Sequence, residues 1–234
     1  MRREVNSIDE LREIVGHPNT YVTNKVGKRL STIQRDWLAH SPLGFVATTD
    51  AQGRVDVSPK GDPPGLVHVI DDTMIAIPER PGNKRVDGYL NVLERPYVGT
   101  LFLIPGRGDT LRINGNARIL ADADYFDAMT VQGKRPILAL EVDVEEVFFH
   151  CAKAFLRSDA WDPSSWNPTA VPSVAQIAKA IKADMSLAQL EEYYAEENMR
   201  RVLYKIFSRN CIPAAEFRVR ACWNTVSAVK SSQI

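Results

Sequence analysis

The sequence has no surplus of charge: its 29 basic and 29 acidic side chains cancel. General nucleic-acid affinity needs a basic surface that displaces counterions from phosphates, so that class is excluded and any anion site has to be local. Cysteine is scarce and scattered. Cys151, Cys211 and Cys222 form no CxxC pair, and the four histidines do not cluster near them. Neither a metal site nor a disulfide framework fits that spacing, and a reducing, cytoplasmic setting is expected. No apolar run approaches the roughly 20 residues of a membrane span, and the start, MRREVNSIDELREIVG, is charged and periodic, unlike a signal core. Two catalytic fingerprints are also missing. GRGDTL at Gly106 lacks the lysine of a phosphate-binding P-loop, and there is no GxSxG nucleophile elbow. No side chain stands out as a general acid or base, so no catalytic residue is assigned.

What is present supports a folded core. Hydrophobic residues make up 44% of the 234, enough for one large domain or a domain with an extension. Ser7 with Glu10, and Ser31 with Gln34, have the spacing of capping boxes and open short helices. From Gly44 the period shortens. GFVATTD and RVDVSP flank the turn DAQG, LVHVI and TMIAI flank Asp71-Asp72, and YVGTLFLIP, TLRINGNARIL and PILALEVDVEEVFFH follow. In RVDVSP, Val55 and Val57 share one face and Asp56 and Ser58 the other. DADYFDAM reads as a short helix started by Asp122. Few helices separate these strands, so a parallel dinucleotide fold is ruled out in favour of a six- or seven-stranded antiparallel β-barrel with flanking helices. The expected organisation is a helical segment over 1–42, a barrel domain over 43–166, and a helical C-terminal extension over 167–234. In that extension Ser173–Phe207 reads as two helices broken near Ala183–Ser186, serving either to pack or to contact a partner.

Three stretches could carry chemistry. In IPERPGNKRVDGYL, Arg80, Lys84 and Arg85 fall within six residues around a Gly-Asn turn, just before a helix start. Arginine forks, a lysine, turn N–H groups and a helix N-terminus all favour a phosphate monoester, although such cations also serve as a solvated loop beside Asp87 or Glu94. In VDVSPKGDPPG, the strand leaves its sheet at Ser58, Pro59 and Lys60, placing a hydroxyl and a cation where a flat ligand edge could lie; an ordinary surface turn has the same composition. In FFHCAKAFLRSDAWDP, Lys153 and Arg157 share a helical face ahead of Trp161, a set able to cover a planar ring. Cys151 reads as a nucleophile or, more commonly for its type, as a small apolar residue.

The ordered series GFVATTDAQGRVDVSPKGDPPG, MIAIPERPGNKRVDGYLNVLERPYVGTLFLIPG and LRINGNARIL resembles the pyridoxamine 5'-phosphate oxidase-like FMN-binding split-barrel family, over roughly residues 31–166. FFHCAKAFLRSDAWDP is similar to a bacterial subgroup of it. Val55 stands where the oxidases that give the family its name have an arginine, and their Trp- and Arg-rich C-terminal motif is absent. The resemblance implies a split barrel, FMN as cofactor, and a homodimer with the flavin at the subunit interface. Ser58, Pro59, Lys60, Arg80, Asn83, Lys84 and Arg85 would hold the phosphate and neighbouring ring edge. Arg112, Asn114, Lys153, Arg157 and Trp161 would complete the site from the second chain. An oxidoreductase acting on a small molecule or electron donor is the leading expectation. A flavin sensor without turnover is the alternative, and a barrel binding haem, through His68 or His150, or a deazaflavin is the third.

Overall fold

The structure, a computed structural model, describes residues 2–181 and 184–204, which fall into two compact units, one up to Ser165 and one from Trp166. The first unit opens with helices α1 (Ile8–Val15), α2 (Thr20–Asn24) and α3 (Thr32–His40). The Ser31–Gln34 capping box forms in full at α3. The Ser7 box is half made: Ser7 accepts the Glu10 N–H, but the Glu10 carboxylate takes the N–H of Asn6, one residue ahead of the cap.

Seven antiparallel strands follow, with the helix between β4 and β5 and the one after β7 completing the unit: β1 (Leu43–Thr49), β2 (Val55–Gly61), β3 (His68–Val69), β4 (Met74–Glu79), α4 (Asp87–Glu94), β5 (Tyr97–Leu103), β6 (Thr110–Leu120), β7 (Leu138–His150) and α5 (Lys153–Ser158). They form one sheet in the order β2-β1-β5-β6-β7-β4-β3. The long central strands carry the core: Phe102, Leu111, Ile113, Val142 and Val147 are fully buried, with Ile75 and Ile77 of β4 and Leu38 of α3. Between Asn114 and Gly115 the β6–β7 register slips by one, leaving Glu145 as an extra residue. Gly115 is required there, because a Cβ would sit 1.8 Å from the Asp143 carbonyl oxygen.

The two edges of this sheet are β2 and β3, and no ladder joins them. Side chains bridge the gap: Lys60 and Asp62 at the end of β2 pair with Glu79 and Arg80 at the end of β4. The sheet therefore curls into a split barrel, with ion pairs in place of backbone hydrogen bonds between the ends of β2 and β4. α4 lies over the β1–β2 hairpin, where Asn91 donates to the Thr48 hydroxyl at 3.0 Å and Glu94 accepts the Ala51 N–H at 3.0 Å. The helix expected from Asp122 is only a 3-10 turn over Phe126–Met129; the Asp122 carboxylate accepts from its neighbour Ala123 and pairs with Arg135, and so caps nothing further on.

In the second unit the break near 183–186 falls between α6 (Val174–Ala180) and α7 (Leu187–Tyr194), each opened by a full Ser–Gln capping box. A third helix, α8 (Glu196–Val202), follows because Ala195 is extended and resets the chain. The end of the expected helix at Phe207, and Cys211 and Cys222, lie outside the described residues. Among the described residues no helix is long and apolar enough to cross a membrane.

Candidate anion-binding site

β2 is an edge strand with inverted faces. Val55, Val57 and Pro59 point to solvent, whereas Asp56, Ser58 and Lys60 are half-buried beneath α4. Where β2 meets the loop after β4 and the start of α4, a cavity of about 190 Å³ is lined by Ser58, Pro59, Lys60, Asn83, Arg85 and Gly88, with Asp56, Val57, Glu79, Val86, Asp87 and Tyr89 completing it. Gly88 keeps the floor open: a Cβ there would contact Asp56, Thr48 and Ser58. The N-terminus of α4 has no side-chain cap. Its first N–H groups and the positive end of its dipole are therefore left for a ligand.

The cations are held ready but not unopposed. Lys60 forms a short ion pair with Glu79 and lies 5.1 Å from the centre of the Tyr89 ring. Tyr89 donates to the same Glu79 carboxylate at 2.9 Å. Burial, then the Glu79 charge, pushes the Tyr89 hydroxyl far above its usual range, so it remains a neutral donor. Arg85 is paired with Asp87, and both are exposed enough for solvent to screen the pair. The turn is shaped by the Asn83 side chain, which accepts the Arg85 N–H at 2.9 Å, and by Lys84, whose φ of 64° is left-handed. Two cations, a hydroxyl, an amide and an uncapped helix start suit a phosphate ester in donor type and in size.

Arg80 was expected among these donors, and its side chain goes elsewhere. It pairs with Asp62 and donates to the carbonyls of Met129 and Lys134, lining a separate cavity of about 430 Å³ with Arg35, Pro63, Pro64, His68 and Val131. Burial lowers the His68 imidazole below its usual range, and its ring stacks on Tyr125, 5.3 Å between centres.

Arg112 and Asn114 are on the opposite face of the sheet from Ser58 and Lys60. They line a third cavity, of about 400 Å³, with Phe45, Leu101, His150, Cys151 and Phe155. There Arg112 lies 5.0 Å from the Phe148 ring centre and Asn114 donates to Glu146 at 2.9 Å. Lys153 and Arg157 are exposed on α5, and Trp161 stacks on Phe155 while its N–H donates to the Arg107 carbonyl at 2.7 Å. Cys151 is exposed. Within one chain, then, Ser58, Pro59, Lys60, Asn83 and Arg85 line one cavity, Arg80 a second, and Arg112 and Asn114 a third, and His68 and His150 belong to different cavities. Sequence reasoning missed Glu79, Tyr89 and Gly88. Glu79 adjoins the cationic loop and Tyr89 falls two residues past the helix start, but only the three-dimensional packing brings both to Lys60.

The sequence profile of pyridoxamine 5'-phosphate oxidase matches residues 32–151. The chain belongs to the pyridoxamine 5'-phosphate oxidase-like family. The family match spans every strand and the whole of the small cavity; Lys153, Arg157 and Trp161 fall beyond it. Similar solved structures include HupZ of Group A Streptococcus, 24% identical, covering 51% of this chain and 93% of that one with a TM-score of 0.41. An FMN-binding protein from Syntrophomonas wolfei is 17% identical, with coverage of 51% and 89% and a TM-score of 0.40. The haem storage protein HutZ from Vibrio cholerae is 15% identical, with coverage of 52% and 94% and a TM-score of 0.35. No curated protein matches the sequence.

Proposed function

We propose that this family member is a cytoplasmic FMN-binding flavoprotein, working as a homodimer and exchanging electrons with a small molecule. One observation carries the reading: Ser58, Lys60, Asn83, Arg85 and the uncapped start of α4 converge on a single cavity of phosphate size. Lys60 and Arg85 would balance the phosphate charge, Ser58 and Asn83 would orient it, and Lys84 at the rim would add long-range attraction. Two or three charge-assisted hydrogen bonds of about 1.5–3 kcal/mol each, together with burial of the flavin ring, would support about micromolar affinity after association costs. The flavin itself would supply hydride chemistry; the protein supplies orientation, charge and exclusion of water.

The opposite face of the sheet supports the dimer part of this reading. Pro59, Phe45, Leu101, Arg112 and Phe148 stand in register across five strands, with Val57, Ala47, Gly99 and Asn114 in the next row. Val55 and Val57 are 68% and 57% exposed there. An apolar stripe of this extent is a surface for association. A second copy covering it would bring its own Arg112 and Asn114 against this face, across the edge strand β2 from the anion cavity.

The test is the absorption spectrum of the full chain, purified and then supplied with FMN. Bound flavin shows two bands in the near-ultraviolet and blue, and their loss on anaerobic addition of NADH or NADPH identifies a reductase. Flavin that stays oxidised with both donors supports the sensor. A protein that takes up no FMN, or that shows an intense Soret band instead, overturns the reading.

A further inference from the structure

Arg80 lies next to the phosphate loop yet contributes nothing to the cavity wall, and its partners explain why. Its side chain is 12% exposed and that of Asp62 is 3%. Nε donates to Asp62 at 2.8 Å, while the two terminal nitrogens donate to the carbonyls of Met129 at 2.6 Å and Lys134 at 3.3 Å. These acceptors come from three segments: the turn leaving β2, the end of the 3-10 turn, and the tight turn bridged by Val131 and Lys134. The guanidinium is thereby engaged by protein acceptors on the side away from the small cavity.

Loop 81–86, by contrast, makes contacts within itself and with the start of α4: Asn83 accepts the Arg85 N–H and Arg85 pairs with Asp87. Asn83, Lys84, Arg85 and Val86 are exposed. Those contacts shape the turn; its placement against β2 depends on where it begins, at Arg80, and where α4 takes over. Residues 79 and 80 point to opposite sides of β4 as strand neighbours do, so Glu79 reaches Lys60 inside the phosphate cavity while Arg80 reaches Asp62 on the other side. A buried ion pair is costly to desolvate and adds little net stability over apolar side chains of similar size. What this pair does supply is a fixed distance between the end of β2, which carries Ser58 and Lys60, and the first residue of the loop that carries Asn83 and Arg85.

We infer that Asp62 and Arg80 are positioning residues that clamp the phosphate loop against β2 across the open seam of the barrel. The inference rests on the FMN reading, since it concerns how that same cavity is kept in shape for a phosphate.

The experiment measures, by flavin fluorescence quenching, the dissociation constants of FMN and of riboflavin, which lacks the phosphate, for the wild-type full chain and two variants. The double variant D62N/R80Q keeps polar side chains, and D62L/R80M replaces the ion pair with apolar side chains that leave no unpaired buried charge. The clamp predicts that the preference for FMN over riboflavin falls at least about tenfold in either folded variant, while riboflavin affinity moves less than about threefold. An unchanged preference, or equal weakening of both ligands, overturns the clamp, because a generally loosened fold would not single out the phosphate. A wild type that binds both flavins equally is a different failure: it removes the phosphate reading itself, and the clamp with it.

Discussion

Strands β1 and β2 run side by side through seven paired residues, yet they obey opposite rules. In β1 the buried residues alternate with half-buried ones, and Val46 and Thr48 face the core under α4. In β2 the valines face out and the polar residues face in. A strand at the edge of an isolated sheet gains nothing by exposing Val55 and Val57 while half-burying Asp56, Ser58 and Lys60. Both faces make sense if each has a further occupant: a second chain on the valine side and an anion on the lysine side. The difference between the two strands thus marks β2 as the element on which both proposed interactions meet.

The valine side offers the sharpest break. Val57→Glu puts a charge in the middle of the stripe, and the dimer is expected to weaken by at least about 100-fold, because an unpaired charge buried at an interface costs several kcal/mol. Sedimentation equilibrium reads this directly, and a dimer that survives would leave the valine face as plain surface. The lysine side comes next. Lys84→Ala with Arg85→Ala removes two exposed cations, which leaves the fold intact and weakens FMN by at least about tenfold, one charge-assisted contact from Arg85 and the long-range attraction of Lys84 after discounting for solvent. Titration of the apo protein with FMN checks it, and full occupancy in the double variant would remove these residues from the site.

The smallest effect is at a distance from β2. Burial lowers the His68 pKa in the fold, so in acid the unfolded chain binds its proton first. Stability from this group is whole above its ordinary value near 6.5 and is lost as pH falls toward the folded value. His68→Phe, which keeps a ring against Tyr125, is therefore expected to flatten the decline of Tm between about pH 7.5 and pH 5 relative to wild type. Equal slopes in the two proteins would show that the imidazole titrates alike in both states.

Local patterns carried much of this into the sequence. Alternation in GFVATT and TLRINGNARIL, turn residues at DAQG, and the Ser31–Gln34 box are short-range signals, and the strands and most helices formed where those signals lie. Two things were not readable. The contact of β2 with β4 across the seam joins residues 19 and 18 apart that belong to no common ladder, so no local period announces it. The destination of Arg80 was hidden for a subtler reason. The residue reads as the first of a cationic loop, but the chain is still in strand register there: the Glu79 carbonyl accepts the Ile137 N–H, and the period of two carries Arg80 to the side opposite Glu79. Charge clustering in sequence gave three cations for one anion; strand geometry assigns one of the three to the scaffold.

Lys84 keeps a backbone shape that glycine or asparagine adopts with less strain, since a side-chain Cβ crowds the neighbouring carbonyl there by about 1–2 kcal/mol. An engineer seeking a sturdier protein would replace that residue first and would gain a more relaxed turn. The same edit strips a positive charge from the mouth of the cavity, so heat tolerance and ligand capture pull this single position in opposite directions.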